Sequence, residues 1–274
     1  MVSAGEFLGE VGSIAGRWIK KTLRRPPFLF FSLVQPIVWF VLFTQAFSSV
    51  SNIRTPIGNG QFLTFKDFAG TDSYLTFFSA AVIIQTVLAS AMQSGVGFVT
   101  DMESGFLDKL KVAPIHRSSI LLGKLLSDGA RILLQTFVII LLAAALGVGI
   151  ATGVLGLILI FGIALAFGIA WSGISTFIAL TTRNSESTLM ISLLTTFPLL
   201  FLSTAVMPKL LLKDWIQNVS VYNPISYVAD GLHSLIITPG LDWSGVGFAF
   251  LIIGAVGFVT LSATTTMFRR TVSA

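Results

Sequence analysis

Between Val154 and Leu180 the chain carries no ionisable side chain. About 20 apolar residues in helical form are enough to cross the hydrocarbon of a bilayer, and there only helices and closed barrels satisfy every backbone N–H and C=O. Further apolar runs cover Phe28 to Phe47, Tyr74 to Thr100, Ile132 to Leu146, Thr188 to Val206 and Val246 to Met267. Together they predict an all-α integral membrane protein, one transmembrane domain over 1–274 with six transmembrane helices. Composition agrees: 54% of residues are hydrophobic, 11% are charged and mean hydropathy is +0.89, far from a soluble domain. The absence of cysteine excludes disulfides, thiolate metal ligands and cysteine nucleophiles. His116 and His233 lie in separate polar connections without carboxylates at metal-ligand spacing, so no metal and no catalytic residue is assigned.

Ahead of the first run, Phe7, Leu8, Val11, Ile14, Ala15, Trp18 and Ile19 keep helical spacing, with Glu6, Glu10, Arg17 and Lys20 on the other side. That pattern predicts an interfacial amphipathic helix within 1–27. Arg17, Lys20, Lys21, Arg24 and Arg25 then crowd against the first span, which retains the N-terminus in the cytoplasm. With both termini inside, the inner connections also hold Lys109, Lys111, Arg117, Lys124, Arg183, Arg269 and Arg270, whereas the outer ones hold Arg54, Lys66, Lys209 and Lys213.

The connection Asp101 to Lys124 is dense in charge and is expected to reach water, since ionised groups in hydrocarbon cost roughly 2.5–3.5 kcal/mol each on insertion scales. Met102, Phe106 and Leu110 recur every four residues, with Leu107 beside them, predicting a short cytoplasmic helix in 101–117 that Pro114 ends. Its apolar stripe needs cover, from a soluble partner or from lipid headgroups. Asp128 and Arg131, three apart at the entry of the third span, can pair on one helix face as an intramembrane ion pair. Pairing is the reading preferred over substrate contact.

Between 208 and 243, two amphipathic segments too short to span, Leu212 to Val219 and Ile225 to Ile236, are joined at Asn223-Pro224 and predict an outer re-entrant helical hairpin. Pro36, after Gln35, predicts a kink in the first span. Gln35, Pro36, Gln85, Asn223 and Pro224 are candidates for a pathway or gate, although for Gln35, Gln85, Gln93 and Gln135 hydrogen bonding between helices is the preferred reading.

This order of elements resembles the ABC-2 type exporter permeases. Val34-Gln35-Pro36-Ile37 is similar to that family's first span. The run Asp101-Met102-Glu103-Ser104-Gly105-Phe106-Leu107-Asp108-Lys109-Leu110, followed by Ala113-Pro114 and Gly123-Lys124, is similar to its coupling segment. Asn223-Pro224-Ile225-Ser226-Tyr227 is similar to its outer hairpin. Asp128 with Arg131 further resembles the daunorubicin-resistance type, while His233 stands where such permeases often carry Arg.

The resemblance implies a plasma-membrane exporter subunit that works as a homodimer with two copies of a separate ATP-binding subunit. Met102, Glu103, Gly105, Phe106, Leu107, Leu110 and Pro114 would couple it to that partner. ATP and Mg would sit on the partner, with no cofactor on this chain; the sequence holds no G-x-x-x-x-G-K-[ST] phosphate loop. The substrate expected is hydrophobic or amphiphilic, drug-like or lipid-like. Export of a glycan or of sodium stays open, as does a different class, an ion-coupled transporter or channel. A membrane-embedded enzyme is disfavoured, because only Asp128 and Arg131 are titratable at depth.

Overall fold

The computed structural model describes residues 4–24, 26–58, 61–106 and 116–273. Helix α1 (Ala4–Leu23) precedes α2 (Pro26–Ala46), which begins on a proline, where the missing N–H removes no helical hydrogen bond, and contains Pro36. A small antiparallel hairpin follows, β1 (Arg54–Gly58) with β2 (Gln61–Thr64), and runs into the short helix α3 (Phe65–Ala69). Thr64 and Asp67 form a reciprocal capping box at the start of α3. The sequence reading treats this whole stretch as a polar loop.

The remaining helices are α4 (Tyr74–Glu103), α5 (Arg117–Ala145), α6 (Gly153–Thr182), α7 (Ser185–Phe201), α8 (Asp214–Ser220), α9 (Pro224–Ile236) and α10 (Trp243–Ser273). Their starts follow local chemistry. Ser73 accepts a hydrogen bond from the Thr76 N–H at α4, and Asn184 accepts one from the Ser187 N–H at α7.

Among the described residues, four helical stretches are long and apolar enough to cross a membrane: Phe65–Glu103, Ser118–Ala145, Gly153–Thr182 and Trp243–Phe268. Phe30–Ala46 and Ser185–Phe201 are apolar but shorter. The fifth run therefore differs from its expected extent, since α7 ends at Phe201 rather than at Val206.

Helix α4 is central. Its residues Ala80 to Val82, Ile84, Val87 and Leu88 are each at most 2% exposed, so it is apolar on every side and packs against α2, α5, α6, α7 and α9. Helix α6 lies against α4 on one side and α10 on the other. Peripheral α10 turns Phe248, Leu251, Phe258 and Val259 outward, as lipid contact requires. An aromatic series joins α2, α4 and α7: Trp39 stacks on Phe43 at 4.7 Å, Phe43 on Phe78 at 5.4 Å and Phe78 on Tyr74 at 5.5 Å, and Phe197 and Phe201 close on Trp39.

The helix expected over 101–117 is divided. Helix α4 continues through Met102 and Glu103, and Gly105, at φ +67°, then turns the chain away before Phe106. A left-handed residue cannot sit inside a right-handed helix, so Met102 and Phe106 do not share one continuous stripe. Leu107, Leu110 and Pro114 lie outside the described residues.

Candidate functional site

Of the candidates, Met102, Phe106, Asp128 and Arg131 lie near one end of the bundle, where α1 lies across α5. Gly123 makes this crossing possible, because a Cβ there would stand 2.7 Å from Ile14 Cγ2 and 3.1 Å from the Val11 carbonyl oxygen. Helix α1 is tied to both neighbours of segment 107–115. On the α4 side, Asp101 accepts hydrogen bonds from Trp18 Nε1 at 2.7 Å and from Lys21 Nζ at 2.6 Å. On the α5 side, Glu10 accepts from the Ser119 hydroxyl at 2.7 Å and from the His116 N–H at 3.1 Å, and it faces His116 Nδ1. The Ser119 hydroxyl, then the His116 N–H, hold the Glu10 carboxyl below its ordinary pKa, so it stays ionised through neutral and mildly acidic pH.

Between these ties lies an apolar seat. Trp18, Phe98, Ile120, Leu180 and Phe268 form a buried cluster on which Met102 and Phe106 rest. Phe106 meets Trp18 edge-on at 6.5 Å, and the Arg17 guanidinium covers its ring at 3.2 Å. Phe106 is therefore held by this chain's own first helix rather than presented free. Glu103 accepts a hydrogen bond from Ser185 at 3.2 Å. Around Gly105 a Cβ would meet nothing within 4 Å, so the demand on this glycine inside the chain is its backbone conformation.

Two charges from the connection expected to reach water are buried: Asp101 is 3% and Lys124 5% exposed. The cause is pairing. Lys124 Nζ lies 2.7 and 2.8 Å from the two Asp128 oxygens, Arg131 Nη2 lies 3.0 Å from Asp128 Oδ1, and the Ser94 hydroxyl donates to Oδ2. Arg131 also donates through Nε and Nη2 to the Ser90 hydroxyl and carbonyl, at 3.0 and 2.8 Å. The pair anticipated from Asp128 and Arg131 is thus the inner part of a Lys124–Asp128–Arg131 triad. The i,i+4 spacing of Lys124 to Asp128 was the signal for its missing member.

A cavity of about 360 Å³ lies beside the triad, walled by α1, α4, α5 and α7. A second, of about 30 Å³, is lined by Gln35, Gln85 and Phe197, and Gln85 Nε2 is buried without a hydrogen-bond partner among the described residues. Pro36 lies within α2 next to Gln35.

Asn223 and Pro224 are not part of this cavity's lining and serve the C-terminal end of α7. Asn223 Oδ1 accepts from the Ile225 N–H at 3.0 Å, capping α9 with Pro224 in its first turn, while Nδ2 donates to the Leu199 carbonyl at 2.6 Å. Leu199 is in the last turn of α7, where carbonyls lack helical partners. One side chain thus caps two helices. Asn223→Asp keeps the acceptor but sets a buried carboxylate oxygen against the Leu199 carbonyl, so it is expected to lose more than Asn223→Ala, which loses both bonds and costs about 1–2 kcal/mol. Thermal denaturation of the detergent-solubilised protein ranks the two.

With this geometry in view, comparison with known proteins is informative. The profile of the ABC-2 type transporter family matches residues 10–237, taking in α1, the divided segment, the triad and the α8–α9 pair. The chain belongs to the ABC-2 type transporter family. This ABC-2 permease is 29% identical over 241 residues to the ycf38 protein of Porphyra purpurea, described as a transport permease, covering 87% of this chain and 77% of the relative. It is 25% identical over 236 residues to the daunorubicin resistance ABC transporter permease protein DrrB1 of Streptomyces coeruleorubidus, covering 86% and 76%. A doxorubicin resistance permease of Mycobacterium tuberculosis, DrrC, matches over 150 residues at 27% identity, 53% of this chain and 54% of the relative. The protein is a multipass transmembrane subunit of an ABC transporter.

Proposed function

We propose that this ABC-2 permease is the membrane subunit of an ATP-driven exporter at the plasma membrane, moving a hydrophobic or amphiphilic molecule out of the cytoplasm. Two copies of the chain span the bilayer six times each with their termini in the cytoplasm, and two copies of an ABC ATP-binding subunit carry the ATP and Mg. The observation that carries the reading is the double tie of α1. Asp101, before segment 107–115, and His116 with Ser119, after it, are both fastened to the same helix. A push on the segment is therefore delivered to α1, α4 and α5 together. By sequence pattern Leu107, Leu110 and Pro114 are assigned to the contact with the partner and Glu103 to its rim, while Met102 and Phe106 rest against Trp18 of α1. The drug-resistance relatives favour an amphiphilic substrate over glycan or sodium.

The test is transport into inside-out vesicles with and without the ATP-binding subunit. Uptake that needs both ATP and that subunit is expected, and substrate movement by this chain alone under an ion gradient would place it among ion-coupled carriers. Because the chain has no cysteine, single cysteines at Asn59 and Gln217 report topology. Both are expected to react with an impermeant maleimide from outside, and labelling from the cytoplasm alone would overturn the six-span arrangement.

A further inference from the structure

We propose that the cavity beside the triad is a binding site for an amphiphile with an anionic headgroup, entered from the cytoplasmic side under α1. This rests on the permease reading and names the substrate class. Five charged side chains line the cavity, Lys21, Asp101, Lys124, Asp128 and Arg131, so cations exceed carboxylates by one. Each carboxylate oxygen already has a donor. Asp101 accepts from Trp18 and Lys21, and Asp128 from Lys124, Arg131 and Ser94. A cationic ligand would have to compete with Lys21 at Asp101 and displace the buried Lys124 or Arg131 at Asp128.

The donors are not saturated. Lys21 gives one of three protons to Asp101, and Arg131 uses Nε and Nη2 but finds no partner for Nη1 among the described residues. Lys21 has a side chain 35% exposed and Arg131 one 9% exposed, so free donors run from the water edge to the interior. Arg131 lies about 12 Å along α5 beyond Gly123, where α1 crosses, which is the depth from an interface toward the acyl region. The rest of the wall includes Trp18, Val96 and Leu189, suited to the first carbons of a chain. Gln93 Oε1, buried without a hydrogen-bond partner among the described residues, takes a donor that a protonated phosphate oxygen or a headgroup hydroxyl supplies.

The test uses the cysteine-free chain with Thr100→Cys at the exposed rim of the cavity, in phosphatidylcholine nanodiscs. The readout is the rate of maleimide labelling. Dodecyl phosphate is expected to slow labelling, and dodecyl maltoside and dodecyltrimethylammonium at equal concentration are not. Lys21→Gln is expected to raise the half-protecting concentration of dodecyl phosphate roughly tenfold, the loss of one charge-assisted contact, and Lys21→Arg to preserve it. Nanodiscs containing phosphatidylglycerol separate two sources of the same chemistry. Protection there without added amphiphile identifies a resident phospholipid as the occupant, whereas protection by dodecyl phosphate alone identifies a transported amphiphile. Both outcomes support the anionic site. Equal protection by the cationic amphiphile, protection by none, or indifference to Lys21→Gln overturns it. Labelling needs neither nucleotide nor the ATP-binding subunit, so failure of the exporter reading and failure of this site are read separately.

Discussion

Asp128→Asn is expected to remove most of the folded protein from the membrane, with a loss of roughly 3–5 kcal/mol, as when one member of a buried pair is deleted. The carboxylate is the only acidic member of the triad. Without it, Lys124 and Arg131, with side chains 6% and 9% exposed, face each other across an uncharged amide. Losses of that size are a large part of the 5–15 kcal/mol that typically holds a domain together. Arg131→Met is expected to be milder, because Lys124 and Ser94 still satisfy Asp128. Lys124→Met added to Asp128→Asn removes the second cation and is expected to recover part of the loss, a coupling that a double-mutant cycle measures. Monodisperse yield by size-exclusion chromatography, with thermal midpoints, provides the comparison.

Gly95→Val is expected to act as strongly by a different route. A Cβ at Gly95 would overlap the side-chain and backbone oxygens of Ser175 on α6. Ser175 donates to the Met92 carbonyl at 2.9 Å and accepts from the Gly95 N–H at 3.2 Å, so these helices touch backbone to side chain with no space between them. A clash with a fixed carbonyl is not relieved by a rotamer change, and the cost is expected to exceed the roughly 1–3 kcal/mol of ordinary overpacking. Gly97, two residues on, has nothing within 4 Å of its own Cβ position, so Gly97→Ala is the matched control and should leave yield unchanged.

Much of the helical layout was legible because apolar runs as long as Val154 to Leu180 leave few alternatives, and because Asn223-Pro224 signals a helix start by its own chemistry. What the sequence hid is long-range or local in revealing ways. Trp18 and Lys21 meet Asp101 across some 80 positions, a contact no periodicity reports. The stripe of Met102 and Phe106 kept its four-residue spacing across Gly105, and only the left-handed turn shows that spacing alone did not make one helix. The density of charge around Lys124 points it to water, whereas its i,i+4 spacing to Asp128 gives the buried pair. Asn59-Gly60, flanked by Thr55 and Phe62, carried a hairpin signal that the surrounding polarity masked.

Phe106, resting against Trp18 of α1, leads into the segment at which we propose that the ATP-binding subunit engages this permease. The most direct measurement is co-purification with that subunit, followed by ATPase rate in nanodiscs, for Gly105→Leu, Gly105→Asn and Phe106→Ala. Leucine resists the left-handed conformation at Gly105 by about 1–2 kcal/mol, whereas asparagine tolerates it. Phe106→Ala empties the seat between Trp18 and Arg17. Loss of assembly and of stimulated turnover in Gly105→Leu and Phe106→Ala, with both retained in Gly105→Asn, is the predicted result. Undiminished assembly and turnover in Gly105→Leu and Phe106→Ala would contradict it.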